Sequence, residues 1–109
     1  MSTRNNWFDF TKQRFQKKGV IFTLTEQELE DLYNSQYGKC AYCNEDINYP
    51  SLIFNTKNSF KLSLIDPALG YTFENTKLVC PRISQMKQHM GEQEFYDLCE
   101  IILSSREEV

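Results

Sequence analysis

Residues 61–87 leave this chain little choice of local architecture. Lys61 to Ile65 and Thr76 to Cys80 each read as a short strand. Between them, Asp66-Pro67-Ala68-Leu69-Gly70-Tyr71 supplies the residue types that turn a chain. Pro81 follows the second strand at once, and proline suits the first position of a helix, where its missing N–H would go unbonded anyway. The segment therefore predicts strand, loop, strand and short helix.

The flanks predict helices. A first helix is expected from near Asn5 or Asn6, both good N-caps, with Trp7, Phe8, Phe10 and Phe15 as its apolar stripe and Gly19 as its stop. Val20-Ile21-Phe22 reads as a short extended stretch. Thr25-Glu26-Gln27-Glu28 is a capping box, and the helix it opens carries Leu29, Leu32 and Tyr33 on one face before Gly38 stops it. Cys40-Ala41-Tyr42-Cys43 reads as a tight turn in a β-hairpin, and residues 44–59, rich in Asn, Ser and Pro, as mostly loop. Phe95, Leu98, Cys99, Ile102 and Leu103 recur at i, i+3, i+4, i+7 and i+8, an amphipathic helix over roughly 92–104. At 109 residues the chain has material for one core. The expected architecture is one α+β domain over 1–109: a helical part (1–38), a hairpin-and-helix core (39–90) and a C-terminal helix (91–109).

A net charge of −3 argues against a general polyanion binder, which would be basic. The charge is uneven, however. Residues 1–20 hold Arg4, Lys12, Arg14, Lys17 and Lys18 against Asp9, while 91–109 hold six acidic residues against Arg106. Arg14, Lys17 and Lys18 thus form a candidate nucleic-acid footprint; the plain alternative is two solvated helix faces. No apolar run approaches the ~20 residues of a membrane span, and Met1 to Asn6 lacks the apolar stretch of a secretory signal. A cytoplasmic protein without a membrane partner is expected, in which the four cysteines serve as ligands or buried thiols rather than disulfides.

Cys40 and Cys43 have zinc-knuckle spacing. Cys80 is a candidate third ligand and His89, the sole histidine, a candidate fourth; Ile83 stands where a second CxxC would place a cysteine. The alternative is a set of small thiols packed as hydrophobes. Cys99 lies on the apolar stripe of the last helix and is read as core.

Leu62-Ser63-Leu64-Ile65-Asp66-Pro67-Ala68-Leu69-Gly70-Tyr71-Thr72-Phe73-Glu74-Asn75-Thr76 resembles the core of small HNH endonucleases common in phages, worded S-L-D-R-I-D-x-x-x-G-Y-x-x-x-N-V and followed by a strand and N-R-M-K. Phe22 to Thr25, Gly38-Lys39-Cys40, Met86-Lys87, Glu94-Phe95 and Leu98-Cys99 extend the likeness over most of the chain. The resemblance implies an HNH-like ββα core holding one Mg2+ or Mn2+ ion, which stabilises the leaving oxygen of a scissile phosphate in DNA. The chain departs from the family at the chemistry. The ligand aspartate falls on Ser63, the adjacent arginine or histidine on Leu64, and the asparagine of the last motif on Ser84. Asn75 and Lys87 match, and Asp66 is the carboxylate nearest the hairpin; these three are the residual catalytic candidates, Lys87 also a candidate phosphate contact. Asp66 has a plain alternative as a turn former, Asn75 as a loop brace and Lys87 as a solvated helix lysine. The leading expectation is a non-catalytic module that binds nucleic acid or a protein, including a phage-encoded inhibitor acting in a host cell. An active metal-dependent endonuclease and a zinc-stabilised structural subunit are the alternatives.

Overall fold

The computed structural model describes residues 3–51 and 57–107. The elements in chain order are α1 (Thr3–Lys17), α2 (Glu26–Ser35), β1 (Lys61–Leu64), β2 (Thr76–Val79), α3 (Pro81–Lys87) and α4 (Glu92–Glu107). β1 and β2 pair antiparallel, with Leu62 opposite Leu78 and Ser63 opposite Lys77. The architecture is thus α+β, four helices around a two-stranded hairpin. α1 starts earlier than expected, so Asn5 and Asn6 lie inside the helix and neither caps it. The predicted loop over 44–59 is irregular where described, and its residues 52–56 lie outside the described residues.

The capping box forms as the sequence demands. Thr25 Oγ1 accepts from the Glu28 amide at 3.1 Å, and Glu28 Oε1 accepts from the Thr25 amide at 2.9 Å. At the other end of α2, the Gln36 side chain reaches the hairpin. Its Oε1 accepts from the Leu78 amide at 3.1 Å and its Nε2 donates to the Leu78 carbonyl at 2.9 Å. Gln36 thereby satisfies the outer edge of β2, which would otherwise present bare donors and acceptors. The Ala41 amide also donates to the Leu78 carbonyl, at 3.0 Å, and so draws the Cys40–Cys43 turn against β2.

The core is built on Phe60, Leu78, Val79 and Cys80, with Leu24, Leu29 and Ile47 closing around them. α1 contributes Phe8 and Thr11, both buried, while Phe15 packs tilted against Tyr71 with ring centroids 4.6 Å apart. Tyr71 is fixed by its backbone. Its amide donates to the Ile21 carbonyl at 2.8 Å, and its carbonyl accepts from Thr23 and Leu24. This pairing brings Gly70 hard against Ile21. A Cβ at Gly70 would sit 2.6 Å from Ile21 Cβ and 2.7 Å from its carbonyl oxygen, at a φ of +76°. Gly70→Ala is expected to cost ~2 kcal/mol or more from strain and collision together. Denaturant unfolding checks this; an unchanged midpoint would mean that the Ile21 segment yields freely.

α4 departs from expectation. The spacing puts Phe95, Leu98, Cys99, Ile102 and Leu103 on one apolar stripe, the face such a helix turns to a core. Phe95 is buried and Cys99 half-buried, but Leu98, Ile102 and Leu103 are exposed. The helix is held at its start, where Glu92 accepts from Lys77 Nζ and from Tyr42 Oη at 2.8 Å. Its later turns leave Ile101, Ile102 and Leu103 more than half exposed, so that part of the stripe is not covered by the described residues.

Candidate functional site

Two features could carry function. The first is the thiol cluster. The Cys40–Cys43 turn closes on itself: the Cys40 amide donates to the Glu45 carbonyl at 2.7 Å, and Asn44, at a φ of +63°, donates its amide to the Cys40 carbonyl at 3.1 Å. Cys80 is the residue that caps α3, directly after β2. The sulfurs of Cys40, Cys43 and Cys80 all lie within 4.8 Å of one another, and those of Cys43 and Cys80 are 3.6 Å apart. Tetrahedral zinc with bonds of ~2.3 Å sets its sulfur ligands ~3.8 Å apart, so the spacing suits such an ion. Burial pushes the Cys40 thiol up, but the backbone amides of Cys43, Tyr42 and Cys80 outweigh it and hold the thiol below its ordinary value. That favours the thiolate at Cys40, the form that binds metal, whereas burial pushes the Cys43 thiol up to about 11.

His89 is not part of this cluster. Cys80 stands at the start of α3, and the seven residues of that helix span ~10 Å before His89 is reached beyond its far end. Ile83, where a fourth cysteine would complete the familiar spacing, is in the core at 9% exposure. Beside the cluster stands Glu45, whose carboxylate lies 4.0 Å from Cys43 Sγ and is held by Arg82 at 2.7 Å.

The residual catalytic candidates are all bound into the scaffold. Asp66 Oδ1 accepts from the Ala68 amide at 2.9 Å, a turn-forming contact. Asn75 is buried. Its Oδ1 accepts from the Asp66 amide, and its Nδ2 donates to the carbonyls of Asp66 and Gly70, each at 2.9 Å. Lys87 is 1% exposed, which overturns its reading as a solvated lysine. Its ammonium donates to the carbonyls of Leu64 and Met90, both at 2.7 Å, and so pins α3 to the end of β1 and to the turn before α4. Ser63, at the family's ligand position, is buried in the hairpin.

The second feature is a cleft between α1, β1 and the end of α3. Its larger part, about 540 Å³, is bordered by Trp7, Phe10, Arg14, Lys61, Ser84 and His89. Phe15, Leu62, Tyr71, Gln88 and His89 are shared with an adjoining part of about 310 Å³, which Lys18 borders. No carboxylate lines either part among the described residues. The cations there are also unneutralised. The ion pairs among the described residues employ Lys39, Lys77 and Arg82, whereas Arg14, Lys18 and Lys61 enter none. Arg14 lies over the rings of Phe15 at 5.2 Å and Phe10 at 5.9 Å. Of the basic residues singled out in the sequence, Arg14 and Lys18 reach the cleft, Lys87 lines its smaller part with its ammonium spent on the Leu64 and Met90 carbonyls, and Lys17 borders neither part. Sequence reasoning missed Lys61, and it placed Phe10 on the apolar stripe of α1 although that ring is 53% exposed. The four-residue spacing of Phe10 and Arg14 on one helix was the available signal.

No protein-family model matches this chain, and no solved structure matches it at a significant level. The chain is 34% identical over 83 residues to uncharacterized protein R423 of Acanthamoeba polyphaga mimivirus. The match covers 76% of this chain and 14% of that relative, so it spans about one-seventh of the relative's length. No helix among the described residues is long and apolar enough to cross a membrane.

Proposed function

We propose that this chain is an HNH-like ββα module that has given up phosphodiester cleavage and binds nucleic acid through the cleft beside α1. The observation that carries the reading is the cleft itself: three unpaired cations and a histidine gathered on one concave face from which carboxylates are absent among the described residues. Phosphates supply most of the affinity of any nucleic-acid contact, and such a face is built for them. The bonding of Asn75 and Lys87 supports the non-catalytic half, because both are spent on backbone groups of the hairpin and its loop, and Asp66 Oδ1 is engaged by the Ala68 amide. Hydroxyl and leucine at positions 63 and 64 offer neither a hard anionic ligand nor a base. In this reading a zinc ion on Cys40, Cys43 and Cys80 ties the turn to the start of α3 and stabilises the scaffold rather than acting on substrate.

A mobility-shift titration with DNA at several salt concentrations tests the proposal. Binding at low salt is expected, with log affinity falling against log salt at a slope of about −2 to −3 for three phosphate contacts. Arg14→Ala and Lys61→Ala should each flatten that slope by about 1. Plasmid incubated with magnesium or manganese should stay intact. Absence of any shift at low salt would refute the binding half; metal-dependent nicking that Asp66→Ala abolishes would refute the other.

A further inference from the structure

The cleft holds more than charge. Phe10 offers one ring to solvent at 53% exposure, and Trp7, Phe15 and Tyr71 line the same concavity. Arg14 leans over two of these rings, so its guanidinium is held at the cleft edge instead of sweeping through solvent. Cations beside an exposed aromatic face suit a ligand that brings a phosphate and a bare π-surface together. A duplex does not, because its bases are stacked on each other and show only their edges in the grooves. An unpaired strand does, since every base then has a free face. At about 540 Å³ the larger part of the cleft is also of the size that encloses a small planar ligand, not a duplex.

We infer that the cleft binds single-stranded nucleic acid in preference to duplex, seating a base against Phe10 and leading the phosphates along Arg14, Lys61 and Lys18. This rests on the nucleic-acid reading above and narrows it to strands with unstacked bases. Recognition is then tolerant of sequence, because stacking uses a face that all bases share.

Trp7 makes the test direct. It is the sole tryptophan, it borders the cleft, and its ring packs edge-on to Phe60 with centroids 5.6 Å apart. Its emission therefore reports on the cleft. The full chain is titrated at low salt with a short oligo(dT) strand and with an oligo(dA)·oligo(dT) duplex of the same length. Tryptophan emission and the anisotropy of end-labelled probes are followed in parallel. The strand should quench Trp7 and bind roughly tenfold tighter than the duplex, and Phe10→Ala should weaken the strand about tenfold. The thermal midpoint of Phe10→Ala should match the parent, since the ring is exposed, so lost affinity cannot be lost folding. Equal or tighter duplex binding, or a strand affinity indifferent to Phe10→Ala, overturns the single-strand inference and leaves the nucleic-acid reading standing. No binding of either probe overturns both.

Discussion

Cys80→Ser, or removal of metal by a strong chelator, should lower the thermal midpoint of this domain by about 10 °C or more. The expectation follows from what the cluster joins. Cys40 and Cys43 sit on a turn that meets β2 through one backbone hydrogen bond, from the Ala41 amide to the Leu78 carbonyl, and a few side chains. Cys80 lies between β2 and α3, at the centre of the core, with no exposed surface. An ion on all three sulfurs cross-links segments nearly forty positions apart, and structural zinc typically contributes a large share of a small domain's folding energy. Elemental analysis of purified protein should find about one zinc per chain. Cys99→Ser is the control: its sulfur is outside the cluster, so its midpoint should respond equally to chelator before and after substitution. Purified protein without zinc, and a melt indifferent to chelator, would show that the three thiols pack as apolar groups.

The contrast between what could and could not be foreseen has a physical pattern. Features written in contiguous residues were legible. The Thr25–Glu28 box, the two strands around Gly70-Tyr71 and the helix opened by Pro81 are local, and each formed within a residue or two of its predicted bounds. The CxxC spacing likewise announced a turn, and the strand after it delivered Cys80. Long-range placement was not legible. Nothing in the sequence separates a solvated lysine from one whose ammonium is swallowed between two carbonyls, because both are helical and polar-flanked. Nor does amphipathic spacing say whether a helix face finds a partner: α4 carries a regular stripe, yet only its first turns reach the core. His89 failed as a ligand for a similar reason, since the length of α3 decides its distance from Cys80. The cleft was half visible. The basic count of the N-terminal segment pointed to α1, but Lys61 joins it from across the fold.

Lys87 is where this distinction has its largest consequence after the thiol cluster. Lys87→Ala should destabilise the protein by ~3–5 kcal/mol, the combined cost of a core cavity and two buried carbonyls deprived of a charged donor. Lys87→Met restores most of the volume and isolates the second part, so a smaller loss of ~1–3 kcal/mol is expected. Burial holds the ammonium below the usual lysine range, while Glu92 works in the opposite direction. With the folded-state value depressed below 10.5, the unfolded chain binds more protons between the two values, so the contribution of this group to stability rises with pH there. The gap between the parent and Lys87→Met should therefore widen on the alkaline side and not close. A phosphate contact makes the opposite set of predictions: a stable variant, reduced nucleic-acid affinity and a flatter salt slope. Unfolding curves and binding isotherms on the same two variants decide between them. With 1% of the residue exposed and both flanking carbonyls at 2.7 Å, the loss should appear in folding, and the folded fraction should bind as tightly as before.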